Sequence, residues 1–419
     1  MSPRSLPAAD PVLAEPTPSR DAFAFYGRPV REVLAEWSEV APRKQAESVL
    51  RAFYRWPESP RPWERARTPS LARGLRELLA VGQGSNLPPI LCQSRSECGT
   101  EKLLLDLAQP GEPPVEVETV LIPNTRREVS RRGMQERLHP NARRDLGRRP
   151  QRASGCVSTQ VGCAVGCTFC ASGLEGLAKN LSAGQIVAQF LWLRQRAQAG
   201  GFLLGNLVLM GMGEPFHNLS AVQTACANLA DSCGGELGEN HLTLSTIGVP
   251  RGIETLLREG PHVNLALSLH SASDSLRREL VPLAKKLPPV RELCEQVAAY
   301  AKATRRQVTL SYVLLGGVND SLAQARDLAR LASETGLGHV NLIPYNAVEE
   351  LDYSAPEPDA VYAFYEVLRS AGLPVHVRST RGADSAAACG QLRRQGATRA
   401  GSSRAEDSSN AQQEQSSSA

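Results

Sequence analysis

"GNLVLMGMGEPFHNLSAVQTACANLADSCGGELGENHLTLSTIGVP", residues 205–250, holds two short apolar runs with a helix-length stretch between them. "GNLVLMGM" (205–212) and "HLTLSTIG" (241–248) have strand length and end in Gly-containing turns, so they read as strands joined by a helix. The same rhythm continues on both sides. Upstream lies "CVSTQVG" (156–162), and downstream lie "VNLALSLH" (263–270), "QVTLSYVLL" (307–315), "HVNLIPYN" (339–346) and "PVHVRST" (374–380). Helical stretches fill the gaps, and one begins at Ser182 with Gln185 three residues on, the pattern of a capping box. Strand–helix alternation predicts a parallel sheet with crossover helices. Six such units predict an open or closed α/β barrel.

The chain has 419 residues, enough for two or three domains, with 42% hydrophobic and 21% charged residues. Residues 1–20 are rich in Pro, Ala and Ser and are expected to be disordered. "PVREVLAEW" and "KQAESVLRAFYRW" predict a small helical domain over 21–85. Residues 86–124 form a strand-rich lead into the core, with "LPPILCQS" and "VEVETVLIP" as strands and "GTEKLLLDLAQPGEP" between them. An arginine-rich insertion follows at 125–153, then the core at 154–394, and a low-complexity tail at 395–419 that is expected to be disordered. Between Thr125 and Arg152 stand ten arginines and three acids, a net of +7 in a chain whose total is +4. That charge reads either as an RNA-binding arm or as a solvated insertion. No stretch approaches the ~18–20 apolar residues of a membrane-spanning helix, and the N-terminus lacks an apolar signal core. The expectation is a cytoplasmic protein without a membrane partner, whose ten cysteines act as thiols, ligands or catalytic groups.

Four of those cysteines are packed into "GCVSTQVGCAVGCTFCASG" (155–173). Cys163, Cys167 and Cys170 form C-x-x-x-C-x-x-C, while Cys156 stands apart. Three thiolates suit an iron–sulfur cluster with one iron left open. On spacing alone a zinc site completed by a distant His stays open as an alternative. The polar clusters "MGMGEP", "STIG", "SLH" and "PYN" all fall at strand ends, where ligands gather in α/β barrels. Cys92, Cys226, Cys233 and Cys294 show no ligand spacing and read as plain thiols.

The cysteine triplet with Phe169 before its last member resembles the signature of the radical S-adenosylmethionine (radical SAM) superfamily. With "MGMGEP", "LSTIGVP", "LSLH", "NLIPYN", "RGADSAAACGQL", "VETVLIP" and "GTEKLLLDL", the likeness narrows to the RlmN/Cfr family of RNA adenine methyltransferases, over roughly 99–394. The resemblance implies a radical SAM partial (β/α)6 barrel. It implies one 4Fe–4S cluster per chain on Cys163, Cys167 and Cys170, and a SAM site of Gly213, Glu214, Ser245, Ser268, Leu269, His270 and Asn346. Two SAM molecules are used per turnover.

The implied reaction adds a methyl group to ring carbon 2 or 8 of adenosine, with 23S rRNA the first candidate substrate and tRNA the second. Cys389 carries the methyl group as S-methylcysteine, Glu118 is the proton acceptor, and Cys156 is the resolving thiol that frees the product. An electron donor such as flavodoxin or ferredoxin is implied, and the expected state is a monomer. The rival readings are a radical SAM maturase of a peptide or enzyme, and a non-catalytic, zinc-stabilised RNA-binding protein. The link between Glu118 and Cys156 is longer than the family's usual one, which leaves the role of the arginine-rich segment open.

Overall fold

The computed structural model describes residues 24–59, 61–66, 70–80, 87–109, 111–124 and 151–378. The predicted N-terminal and C-terminal disordered segments, almost all of the arginine-rich insertion, and Cys389 lie outside these residues.

The chain opens with helices α1 (Ala24–Gly27), α2 (Val30–Val40), α3 (Arg43–Arg55) and, after a short 3-10 turn, α4 (Arg73–Ala80). α2 buries Val30, Val33, Leu34 and Trp37, and α3 buries Ala46, Val49, Leu50 and Phe53. Both sets follow i, i+3, i+4, i+7 spacing, so one apolar stripe of each helix faces the other. Phe25, Trp37, Phe53 and Trp63 stack at their junction with ring centroids 4.6 to 5.9 Å apart.

The centre is one ten-stranded sheet. β1 (Ile90–Arg95), β2 (Glu101–Asp106) and β3 (Glu116–Pro123) form an antiparallel meander that pairs with β4 (Arg152–Cys156). β5 (Gln160–Gly162) and β6 (Leu177–Asn180) make a separate antiparallel ribbon. After α5 (Ala183–Ala199) the chain alternates: β7 (Leu203–Leu209), α6 (Leu219–Ala230), β8 (Leu242–Thr246), α7 (Pro250–Glu259), β9 (Asn264–Ser268). It continues through α8 (Asp274–Leu280), α9 (Val290–Thr304), β10 (Val308–Leu314), α10 (Leu322–Thr335), β11 (His339–Pro344), α11 (Pro358–Ser370) and β12 (Val375–Val377). The sheet runs β1-β2-β3-β4-β7-β8-β9-β10-β11-β12, and every pair from β4 to β12 is parallel. β1 and β12 do not pair with each other, so the barrel stays open.

α5 starts with the expected capping box: Ser182 Oγ accepts from Gln185 N, and the Gln185 side chain accepts from Ser182 N. The parallel strands follow the predicted runs. Two features differ. "GTEKLLLDL" contains strand β2, where no element was expected. The expected strand over 156–162 is split: β4 begins at Arg152, Ser158 and Thr159 leave the sheet, and Gln160 starts the ribbon.

The helical region docks on the barrel through Asn228 of α6, which is 1% exposed. Its Oδ1 accepts from Val30 N (2.9 Å), and its Nδ2 donates to the Tyr26 (3.0 Å) and Arg28 (2.9 Å) carbonyls. Val30 begins α2, so a side chain from the barrel supplies a helix cap that Pro29 does not. Among the described residues no helix is long and apolar enough to cross a membrane.

Candidate active site

β5 ends at Gly162, and the turn into β6 carries the three clustered cysteines. Gly162 has φ 73°, and a Cβ there would stand 1.9 Å from the Gly176 carbonyl oxygen. Only glycine fits where Cys163 N closes the turn onto that carbonyl at 2.9 Å. Thr168 N donates to the Leu280 carbonyl at the end of α8 (3.0 Å), and Cys170 N donates to the Cys167 carbonyl (3.1 Å). Val165, Phe169, Ile247, Leu280 and Tyr345 pack around the three half-buried thiols. Burial pushes the Cys163 thiol up to about 12, and the charges of Cys170 and Glu214 add to the rise. Cys167 is driven well above the ordinary thiol range, first by burial and then by Cys170 and Cys163. These are three sulfurs that feel one another.

The predicted SAM residues stand at neighbouring strand ends. Gly213, just past β7, has φ 104°, and a Cβ there would lie 2.6 Å from Cβ of Gln160. Gln160 Oε1 accepts from Glu214 N (2.8 Å). The Glu214 carboxylate accepts from Phe216 N (3.1 Å) and Ile247 N (2.9 Å), which joins the ends of β7 and β8. Burial still lifts Glu214 to about 7. Ser245 Oγ and Ser268 Oγ are 3.2 Å apart on β8 and β9. Leu269 is fully buried, and its N–H donates to the Ser311 carbonyl (2.9 Å). His270 has φ 61°, and its ring meets Phe169 edge to face at 4.9 Å. His270 Nδ1 accepts from Val313 N (3.1 Å), so the proton of the neutral ring sits on Nε2. Burial, and then the Arg277 charge, push this imidazole down to about 3. Asn346 is half-buried just past β11.

Thr243, Asn264, Thr309, Ser311, Asn341 and Arg378 help line an open trough of about 490 Å³ inside the half-barrel. Ser245 and Ser268 extend the inward rows of Thr243 and of Asn264 and Ala266, because side chains repeat every second residue along a strand. The two serines therefore face the same trough.

Glu118 and Cys156 lie on neighbouring antiparallel strands, with Val120 opposite Cys156. Glu118 is 2% exposed, and its Oε1 lies 2.7 Å from Lys102 Nζ of β2. Two buried hydroxyls tie the strands: Ser158 Oγ donates to the Glu118 carbonyl (2.8 Å), and Thr119 Oγ1 donates to the Cys156 carbonyl (2.7 Å). Ser158 Oγ also accepts from Met212 N (3.0 Å), which reaches the strand end that carries Gly213. Cys156 is packed among Val120, Met212, Ile122, Val208 and Met210.

Residues 157–329 match the model of the radical SAM superfamily. The chain is 38% identical over 380 residues to a dual-specificity RNA methyltransferase RlmN of Sorangium cellulosum, covering 87% of this chain and 95% of that one. The chain belongs to the RlmN family. A crystal structure of a radical SAM methyltransferase from Sphaerobacter thermophilus superposes with a TM-score of 0.71 at 36% identity, covering 88% of this chain and 99% of that one. RlmN-family membership makes this a radical SAM enzyme, with a 4Fe–4S cluster and SAM as its cofactors.

The residues present fit that cluster. Three half-buried thiols on one glycine-hinged turn, packed with Val165, Phe169 and Tyr345, are the donor set such a cluster takes. Cys389, on the RlmN-like "AACGQL" segment, lies outside the described residues.

Several residues that shape the site were not singled out from the sequence. Gln160 holds Glu214, and Ser158 ties Glu118 to the Met212 turn. Asn319 Nδ2 donates to the His270 (2.9 Å) and Val313 (2.8 Å) carbonyls, holding His270 in its left-handed conformation. Lys102, two strand positions from the register partner of Glu118, gave no such signal, because β2 was not expected as a strand.

Proposed function

We propose that this RNA methyltransferase of the RlmN family methylates a ring carbon, 2 or 8, of adenosine in 23S rRNA, with tRNA as a second substrate. The observation that carries the reading is the tie between Glu118 and the Cys156 strand, beside the turn of Gly213 and Glu214. On this reading Glu118 is the proton acceptor and Cys156, on the adjoining strand, the thiol that works beside it.

Cys163, Cys167 and Cys170 hold one 4Fe–4S cluster per chain, and Gly213, Glu214, Ser245, Ser268, Leu269, His270 and Asn346 line the SAM site. When bound, cluster and SAM supply one-electron cleavage to a carbon radical, with electrons from a flavodoxin or ferredoxin. Two SAM molecules are consumed per methylation. Cys389 as thiolate would take the methyl group of one SAM; with one hydrogen of that methyl removed by the carbon radical from the second SAM, its carbon would bond to the electron-poor ring carbon while still held on the Cys389 sulfur. Glu118 removes the ring proton; its anionic form has a partner in Lys102. Cys156 attacks the Cys389 sulfur, and cellular thiols reduce the resulting disulfide. The raised Glu214 suits a carboxylate that ionises fully when a cationic ammonium arrives. The 125–153 segment, with its +7 charge, serves as an RNA-binding arm. The domain division, a monomeric state and a cytoplasmic location complete the reading.

The test is Cys156→Ala. This variant is expected to methylate Cys389 and then to accumulate a covalent protein–RNA adduct, which nuclease trims to a protein-bound nucleotide. Mass spectrometry of that nucleotide identifies the base and carbon. Clean turnover by the variant removes Cys156 from the mechanism.

A further inference from the structure

Arg277 of α8 is 1% exposed, among the most deeply buried large side chains of the chain. Its Nε donates to the Leu269 carbonyl (3.1 Å), and its Nη2 donates to the Ile247 (2.7 Å) and Ser268 (3.4 Å) carbonyls. All three acceptors are neutral; no carboxylate among the described residues forms an ion pair with Arg277, and Asp274, three residues back on the helix, acts on it only at longer range. An arginine does not shed its proton in a protein. A buried cation without a counter-charge is strongly unfavourable, so a fold that keeps one has an anion to place beside it.

The position says which anion. The three carbonyls belong to the ends of β8 and β9, next to Ser268, Leu269 and His270. One turn further along the same helix, Leu280 accepts from Thr168 N, inside the cysteine loop. α8 thus grips the strand ends with its middle and the cysteine loop with its last residue. Ile247, whose carbonyl Arg277 holds, belongs to the same packed group as Cys163, Cys167 and Cys170.

We propose that Arg277 is the counter-cation of the 4Fe–4S cluster, a positioning residue that raises the cluster's reduction potential while fixing the strand ends under it. The inference rests on the reading of Cys163, Cys167 and Cys170 as cluster ligands. Reduction adds one electron to the cluster, and a fixed positive charge stabilises the more negative state.

The experiment compares anaerobically reconstituted wild type, Arg277→Gln and Arg277→Lys. Iron and sulfide are counted, and the cluster is titrated with a redox mediator set and read by electron paramagnetic resonance. Arg277→Gln keeps a donor and loses the charge. At a fixed applied potential its ratio of reduced to oxidised cluster is expected to fall about tenfold, a drop of about 59 mV for a one-electron couple. Arg277→Lys keeps the charge and is expected to restore most of that potential. Should the Gln variant fail to fold, Arg277→Met in the same titration reads the same loss of charge. A neutral variant with a full iron count and an unchanged potential overturns the proposal, as does a lysine variant whose potential falls as far as the neutral one. Wild type without iron, or unaltered iron binding after Cys167→Ala, overturns the ligand reading instead and is visible before any potential is measured.

Discussion

Replacing Asn228 with Ala tests whether the N-terminal helices are held by one buried side chain. The substitution removes three hydrogen bonds, to Val30 N, the Tyr26 carbonyl and the Arg28 carbonyl, at 2.9 to 3.0 Å. A neutral bond contributes ~1 kcal/mol net, and losing a helix cap costs ~1 kcal/mol on the same scale. With three bonds lost at a site 1% exposed, the cost is roughly 3 kcal/mol. That corresponds to about a hundredfold more frequent opening of the docked region. Arg55 and Glu236 form an ion pair across this junction, and at 53% and 40% side-chain exposure it offsets little. Native-state hydrogen exchange is the assay. Amides of α2 should lose about two decades of protection, while those of β8, β9 and β10 keep theirs. Asn228→Asp keeps the acceptor for Val30 N and should lose less. Equal α2 protection in the Ala variant and wild type would refute the reasoning, and would place the docking energy in the other contacts of the junction.

Glu214 makes the stability of the SAM-free protein depend on pH. Its carboxyl is raised from 4.5 to about 7 by burial, so its stabilising contribution is complete below 4.5 and is lost as pH rises through about 7. The loss is roughly 3 kcal/mol at ~1.4 kcal/mol per unit. Melting curves from pH 4.5 to 8 should show a fall in wild type that Glu214→Gln flattens; parallel profiles would contradict the assignment. Gly213→Ala should cut SAM affinity at least tenfold and cost roughly 1–3 kcal/mol. Its Cβ would meet Gln160 at 2.6 Å in a backbone at φ 104°, a conflict that calorimetry with SAM and a thermal melt both read.

The parallel strands were legible because buried strands with helices on one side read as compact apolar runs. "HLTLSTIG" and "HVNLIPYN" match β8 and β11 closely, and their polar ends mark the site. β2 escaped because Leu103, Leu104 and Leu105 follow one another without alternation, and Glu101 and Lys102 look like surface charges. Those two charges are buried against Arg196 and Glu118, partners far away in the chain. β4 was misplaced because its first residue is an arginine at the end of a charged segment, and because Ser158 and Thr159 have strand-like composition. Their hydroxyls and backbone are used instead to tie β3 to the Met212 turn. Arg277 and Asn319 left no trace in the sequence, since their work consists of hydrogen bonds to main-chain carbonyls, which no side-chain pattern encodes.

The strand order of the large sheet has a consequence for how the protein is made. Reading across the sheet from β1 to β12 is also reading along the chain, with only the small β5–β6 ribbon set aside. No strand waits for a later one to be inserted beside it. A ribosome releases the N-terminal residues first, and domains form as they emerge. Each new strand can therefore add to an edge that already exists. The cysteine loop and the strand ends around it leave the ribosome before β12, and Cys389 leaves after β12. The order of synthesis thus delivers Cys389, the thiol proposed to carry the methyl group, after every strand of the sheet.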